Sequence, residues 1–137
     1  MNVSFQRRTD LALSALRALA NVEGRMSGSD LAQRIGTTPA FLSQVVSPLV
    51  QAGWVTSGRG PGGGYRLSNT AQLARFLDVV EATEGPTVNG RCVLRDQACP
   101  GEELCPVHAV WTEARQVLVE GMEDILALQV HREGDRS

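Results

Sequence analysis

The chain has 137 residues, of which 20% are charged, and a formal net charge of −2 at pH 7. That length allows one domain with a modest core, and no apolar run approaches the ~18 residues that a membrane span requires. No charged-then-apolar leader opens the chain, so a cytoplasmic protein without a membrane partner is expected. An odd number of cysteines, three, argues against a closed disulfide framework and fits a reducing compartment.

The charges are unevenly distributed along the chain. Residues 1–75 contain eight arginines and three acidic residues, whereas residues 76–137 contain five arginines and twelve acidic residues. A polyanion would therefore dock on the amino-terminal half. All thirteen basic residues are arginine, which suits phosphate binding, although a GC-rich genome explains that usage better.

Two short helices are predicted at the start of the chain. Apolar residues at helical spacing from Thr9 predict an amphipathic helix that ends by Gly24. The second helix is capped by Ser27 or Ser29 and stops at Gly36. A tight turn then leads into a third helix.

The third helix, which the run Thr37, Thr38 and Pro39 caps and opens, is the candidate DNA reader. Its core face is predicted from an apolar stripe with helical spacing: Leu42, Val45, Val46 and Leu49. The opposite face carries small and amide side chains: Thr38, Ala40, Ser43, Gln44 and Ser47. Such a face can enter a major groove, where glutamine pairs with adenine edges, and an ordinary solvated surface is the alternative. Pro48, inside this helix, has no explanation in the sequence.

A β-hairpin is predicted directly after the third helix. Two β-prone runs, 54–60 and 65–68, flank a Gly/Pro tip. Helix, turn, helix and hairpin together form a winged helix-turn-helix. Its wing would place Arg59 and Arg66 beside phosphates or in a minor groove, together with the tip residues Gly60, Pro61 and Gly62. A surface hairpin without DNA contact is the alternative.

The predicted fold is mainly α: a winged helix-turn-helix domain with a short β-hairpin wing, plus a long C-terminal dimerisation helix. A fourth helix, capped by Asn69 or Thr70, closes the DNA-binding domain over residues 1–85. Residues 86–105 form a cysteine-containing loop, 106–130 the long helix, and 131–137 a flexible tail. The long helix has too little protein of its own to pack on, so a two-fold homodimer is predicted.

All three cysteines lie in that loop, at Cys92, Cys99 and Cys105. Three thiols in a Gly/Pro-containing loop before a helix can surround one centre, most naturally a metal. Cys105 precedes Pro106, which predicts a thiol at the helix N-cap, where the helix dipole favours thiolate. His108 follows on the same face. Three unrelated thiols are the alternative.

The whole chain resembles the Rrf-type winged helix-turn-helix transcription regulators, the IscR/NsrR-like iron–sulfur regulators. The resemblance rests on the wing string RGPGGGYRL at 59–67, on FLSQ at 41–44 and on three cysteines before a long helix. It implies a homodimer on palindromic double-stranded promoter DNA, with a 2Fe–2S or 4Fe–4S cluster that sets DNA affinity. By position, the cluster's thiolate ligands would be Cys92, Cys99 and Cys105.

The resemblance leaves two candidates for the fourth ligand. His108, followed by Trp111, is similar to the cluster-assembly branch with its 2Fe–2S cluster and histidine ligand. Asp10, within TDLAL at 9–13, is similar to the nitric oxide-sensing branch, where an aspartate from the partner subunit completes a 4Fe–4S cluster. The chain departs from the assembly branch in cysteine spacing and at Ser43, where that branch has glutamate. A packing histidine and a dipole-favoured aspartate are the alternatives.

These features predict a homodimeric transcriptional repressor whose promoter binding responds to nitric oxide, redox or iron–sulfur status through the cluster. Two alternatives keep the same fold and either place zinc on the Cys₃His set or use the thiols as a redox switch. An enzyme is not predicted, because the sequence lacks Cys-x-x-Cys, a phosphate loop and paired catalytic carboxylates.

Overall fold

In the computed structural model, which describes residues 1, 3–95, 97–98 and 105–130, the chain is mainly helical with a two-stranded hairpin. The first half contains α1 (Arg7–Ala20), α2 (Gly28–Ile35), α3 (Pro39–Gln51), β1 (Val55–Gly58) and β2 (Gly64–Leu67). A 3-10 turn (Asn69–Leu73), α4 (Phe76–Glu84), α5 (Pro106–Met122) and a final 3-10 turn (Ala127–Gln129) follow. This order confirms the predicted winged helix-turn-helix. In the described segments, no helix has both the length and the apolarity to cross a bilayer.

Polar caps set the starts of α2 and α3. Ser27 Oγ accepts a hydrogen bond from Asp30 N at 3.1 Å, and Thr38 Oγ1 accepts one from Phe41 N at 3.2 Å. Each cap satisfies an amide that the first turn of a helix leaves without a partner. Gly36 ends α2 with φ +79°, a left-handed conformation that glycine adopts without strain. The helix-turn-helix geometry therefore follows from local sequence.

The core lies where α1, α2, α3 and α4 meet. Four side chains of α3 are no more than 1% exposed, and they are the predicted apolar stripe: Leu42, Val45, Val46 and Leu49. Burying one such side chain contributes roughly 1.5–3 kcal/mol. This contact decides which face of α3 is turned outward.

The hairpin is held against the helices by backbone pairing. β1 and β2 are antiparallel, and Met26 adds a further bridge, in which Met26 and Tyr65 exchange two hydrogen bonds of 2.8 Å. Gly64, with φ +110°, lies so close that a Cβ there would overlap the Met26 carbonyl. One glycine of the predicted tip is thus needed for docking the wing.

The predicted fourth helix is divided in two. Ala74 is extended, with ψ 127°, between the 3-10 turn and α4. Its carbonyl accepts a hydrogen bond from Ala127 N, and Phe76 N donates to Ile125 O, both at 2.8 Å. Because these partners come from the far end of the chain, local periodicity could not reveal the break.

The long helix is shorter than the predicted span 106–130. α5 ends at Met122, and the chain turns back so that Leu126 pairs with Arg75 and Ala127 becomes fully buried. The segment after Met122 therefore completes the core of its own subunit instead of extending the helix. The predicted flexible tail, 131–137, lies outside the described residues.

We expect Gly64→Ala to destabilise the protein more than Gly24→Ala does. Both glycines have positive φ, +110° and +76°, and an L side chain in left-handed backbone costs roughly 1–2 kcal/mol. Only at Gly64 does the added methyl also overlap Met26, since nothing lies within 4 Å of a Cβ at Gly24. Urea denaturation measures both losses, and equal losses would show that the close approach to Met26 is dispensable.

Candidate functional site

The outward face of α3 presents every side chain that was predicted to read DNA. Those side chains are exposed along its amino-terminal half: Thr38, Ala40, Ser43 and Gln44. The helix spans 13 residues, roughly 20 Å at 1.5 Å per residue. Its sequence contains no charged residue. Electrostatic attraction to phosphates must therefore come from neighbouring elements.

The hairpin carries two exposed arginines. Arg59 stands exposed at the tip, next to the exposed Gly60, Pro61 and Gly62, and Arg66 is exposed on β2. Arg25, which sequence reasoning missed, reaches the hairpin from the segment before α2, and its Nη1 donates to Gly64 O at 3.3 Å. Only the fold brings Arg25 to the wing, so no local pattern could have identified it.

Two predicted thiolate ligands and the predicted histidine ligand line one small cavity. Cys92, Cys105 and His108 border a volume of about 20 Å³, together with Trp111 and Arg115. Both cysteines are half-buried. The first turn of α5 brings Cys105 and His108 together, with His108 N donating to Cys105 O at 3.0 Å. Three of the predicted donors therefore border one cavity.

The loop that carries Cys92 is shaped by its own backbone. Cys92 N donates to Gln97 O at 2.9 Å, and Leu94 N donates to Cys92 Sγ at 3.4 Å. A sulfur that accepts an amide hydrogen bond is compatible with a thiolate ligand, because iron–sulfur sites use such bonds to adjust their potential. The loop thus presents Cys92 toward α5 with an amide donor beside it.

Cys99 lies outside the described residues. Among the residues that are described, no three His, Cys, Asp or Glu side chains stand close enough to hold a metal ion. Two thiols and an imidazole are the donor types of iron–sulfur and zinc sites, so the chemistry fits, and Cys99 would supply the missing thiolate. A cavity of about 20 Å³ suits one water or one ion. A cluster would therefore require its walls to move apart.

Asp10, the alternative fourth ligand, lies elsewhere in the subunit. It is half-buried in the first turn of α1 and does not line the cavity of Cys92, Cys105 and His108. Within one subunit, His108 is the candidate fourth ligand that lines the same cavity as Cys92 and Cys105.

Arginines surround the cysteine cavity. Arg91 and Arg115 line it, and both also border an adjoining cavity of about 380 Å³ beside Cys92, where Arg95 joins them. Cationic side chains therefore border the cavity of Cys92, Cys105 and His108.

The helix that follows Cys105 exposes an apolar face. None of the seventeen residues of α5, all of them described, is buried within the single subunit. Val110, Val117 and Leu118 are 68%, 65% and 51% exposed. Their spacing, i, i+7 and i+8, places them on one side of the helix.

Comparisons with known proteins agree with this architecture. The family Rrf2, described as iron-dependent transcriptional regulators, matches residues 5–129. A putative HTH-type transcriptional regulator, ORF2 of Azotobacter vinelandii, is 30% identical over 139 residues, which cover 91% of this chain and 80% of that protein. The HTH-type transcriptional regulator IscR of Photorhabdus laumondii is 35% identical over 96 residues, which cover 70% of this chain but only 58% of the relative.

Solved structures share the fold along almost the whole chain. CymR, described as the global cysteine regulator of B. subtilis, has a TM-score of 0.68 at 26% identity and covers 92% of this chain and 94% of its own. IscR from T. potens has a TM-score of 0.71 at 24% identity and covers 94% of this chain and 87% of its own. Such coverage includes both the winged helix-turn-helix and α5.

Proposed function

The chain belongs to the Rrf2 family of transcriptional regulators, and on that premise we propose that it is a homodimeric repressor whose promoter binding is controlled by an iron–sulfur cluster. The family match confirms the resemblance drawn from the wing and cysteine motifs, and it makes the protein a DNA-binding transcriptional regulator, not an enzyme. Its place of action would be the cytoplasm, on double-stranded promoter DNA.

The observation that carries the cluster proposal is the cavity that Cys92, Cys105 and His108 share. With Cys99 added, the donor set becomes Cys₃His, which suits a 2Fe–2S cluster and, as the alternative, zinc. We favour His108 as the fourth ligand because it lies beside two of the thiols in one subunit. Asp10 of the partner subunit, completing a 4Fe–4S cluster, is the competing outcome.

Ligation at this cavity would join two parts of the chain. Cys92 belongs to the loop after α4, whereas Cys105 is the N-cap residue directly before α5. When bound, the cluster would supply iron and sulfide that react with nitric oxide or oxidants. Binding both thiols holds the loop against the start of α5, and losing either ligand releases it.

Glu84 provides a route from that loop to the DNA-binding face. It is the last residue of α4, and its carboxylate accepts hydrogen bonds from Gln6 N at 3.2 Å and from the Thr9 hydroxyl. Thr9 is fully buried and meets the Thr83 hydroxyl at 2.7 Å. A movement of the loop after Glu84 would therefore shift the start of α1, which borders Gln44 of α3.

We propose that α3 and the wing contact different parts of the DNA. The uncharged face of α3, with Thr38, Ala40, Ser43 and Gln44, would contact base edges in a major groove. The wing would supply phosphate or minor-groove contacts through Arg59, Arg66, Gly60, Pro61 and Gly62. Two such faces roughly 34 Å apart match the half-sites of a palindromic operator.

A second copy of α5 is the proposed partner for the exposed apolar face. Val117 and Leu118 would pack against the same residues of the other subunit around a two-fold axis, because a two-fold interface is self-complementary. Pairing at α5 places each cysteine loop beside the dimer interface, since Cys105 is the first residue before the helix. The state of the loop can then alter the spacing of the two reading helices.

The cofactor proposal predicts that anaerobically reconstituted protein contains iron and labile sulfide and absorbs visible light. Cys92→Ser and Cys105→Ser should each lower iron and sulfide per subunit several-fold, because each removes a thiolate ligand. Thr112→Val, in the same cavity wall, is the matched control and should retain both. Metal analysis with the visible spectrum is the measurement.

The same measurement separates the alternatives. Loss of cluster in His108→Ala but not in Asp10→Ala assigns the fourth ligand to the histidine, and the reverse pattern assigns it to the aspartate. Zinc without sulfide would support the zinc alternative. A colourless, metal-free protein would overturn the cofactor proposal and leave DNA binding intact.

Arg59→Ala and Gln44→Ala are expected to weaken DNA binding in different ways. Removing the Arg59 phosphate contact should weaken binding to all duplexes and lower the slope of log K against log salt by about one. Removing the Gln44 amide should instead reduce discrimination at one base pair by about 1–3 kcal/mol. Fluorescence anisotropy at several salt concentrations tests both, and wild-type affinity in Arg59→Ala would contradict the placement of the wing.

Leu118→Glu is expected to convert the dimer into monomers, because it places a carboxylate in the proposed apolar contact between two α5 helices. Gln116→Glu adds the same charge on the polar side of α5, where Gln116 bonds Glu120, and should remain dimeric. Sedimentation velocity reports the oligomeric state. A dimer in both variants would exclude this face of α5 as the interface.

A further inference from the structure

A groove beside the recognition helix has no role in an interface made only of α3 and the wing. It lies between the start of α1 and α3, measures about 310 Å³ and is lined by Gln6, Arg7, Arg8, Phe41 and Gln44. We infer that the start of α1 is a third DNA-contacting element, in which Arg7 and Arg8 bind the sugar–phosphate backbone at this groove. The inference rests on the proposed placement of α3 in the major groove.

The width of a helix in the major groove brings the groove beside α3 close to the phosphates. An α-helix with its side chains is 10–12 Å across, and the major groove of B-DNA is about 12 Å wide. A helix seated there fills the groove, so a group directly beside the helix meets the phosphates at the groove edge. Phe41 and Gln44 form the α3 wall of the 310 Å³ groove. The opposite wall, with Arg7 and Arg8, therefore faces a phosphate backbone.

Charge supports the same assignment. Because α3 contains no charged residue, the phosphate neutralisation on which DNA affinity largely depends must come from its flanks. Arg59 and Arg66 supply it from the wing. Arg7 and Arg8 are both exposed and supply it from α1, where the positive end of a 14-residue helix adds to the attraction.

Neighbouring acids do not cancel these two charges at the groove. Glu84 is half-buried, and its carboxylate is turned toward Gln6 N and the Thr9 hydroxyl. Asp10 is half-buried and does not line the groove. The groove wall that faces outward is therefore cationic.

The start of α1 is held in position before any DNA arrives. Arg8 Nε donates to Gln6 Oε1 at 2.8 Å, and Gln6 N donates to Glu84 at 3.2 Å. The Phe5 ring packs edge-on against Phe76, with centroids 5.1 Å apart. Donors that are already positioned lose less conformational freedom on binding. Phosphate contacts carry no base information, so these arginines contribute affinity without sequence preference.

The test uses the full-length dimer and the double variant Arg7→Gln/Arg8→Gln. Its probes are a duplex that the parent selects from a random pool and a scrambled duplex of equal length. Both affinities should fall by the same factor, at least about tenfold at low salt, and the slope of log K against log salt should decrease by about two, one for each lost phosphate contact. Arg75→Gln, at the exposed N-cap position of α4, is the matched control and should keep the parental slope.

Three outcomes are decisive, once circular dichroism shows that each variant is folded. Affinities and slope equal to those of Arg75→Gln would overturn the inference. Weaker binding to the selected duplex alone, with an unchanged slope, would also overturn it, because the groove would then act on base reading. If the parent selects no duplex at all, the proposed function fails, a result that is visible before any variant is compared.

Discussion

Leu42, Val45 and Leu49 of α3 are packed against the other helices of the core, and the orientation of each DNA-facing surface depends on that contact. Because these residues share one side of the helix, their burial turns Thr38, Ser43 and Gln44 outward. The wing is aligned to the same core through the Met26–Tyr65 pairing. One packed face thus sets the relation between the helix and the hairpin.

The arginines of the DNA-binding domain lie outside α3, the helix whose packed face was described above. α3, the proposed reading helix, contains no charged residue, and exposed arginines lie on other elements: Arg7 and Arg8 on α1, Arg25 in the segment before α2, and Arg59 and Arg66 in the hairpin. In the proposed complex, an uncharged helix would approach base edges without a strong pull to the nearest phosphate, while these arginines would attract the backbone. The excess of arginine over acidic residues in residues 1–75 agrees with that proposal.

The second half of the chain contains both the proposed subunit contact and the candidate ligand cavity. α5 presents an exposed aliphatic face, and the cavity of Cys92, Cys105 and His108 lies at the helix start. The Glu84 carboxylate, at the other end of the cysteine loop, is bonded to the start of α1. In the proposed dimer, a change in that loop would therefore act on subunit spacing through α5 and on the DNA-binding face through α1.

Short-range patterns determined much of this protein by themselves. The caps at Ser27 and Thr38, the stop at Gly36 and the stripe on α3 act within one or two helical turns, so sequence alone predicted the helix-turn-helix and its outward face. The pairing of Cys105 with His108 could also be predicted from local sequence, because the two residues are three positions apart, which is less than one helical turn. Only tertiary structure decided that Cys92 borders their cavity, that Arg25 bonds the hairpin backbone and that Arg7 and Gln44 line one groove. Tertiary contacts also split the predicted fourth helix at Ala74 and ended α5 at Met122. The backbone groups of Ala127 and Ile125 form the hydrogen bonds that Ala74 and Phe76 require. These partners lie far along the chain, so local periodicity could not reveal them.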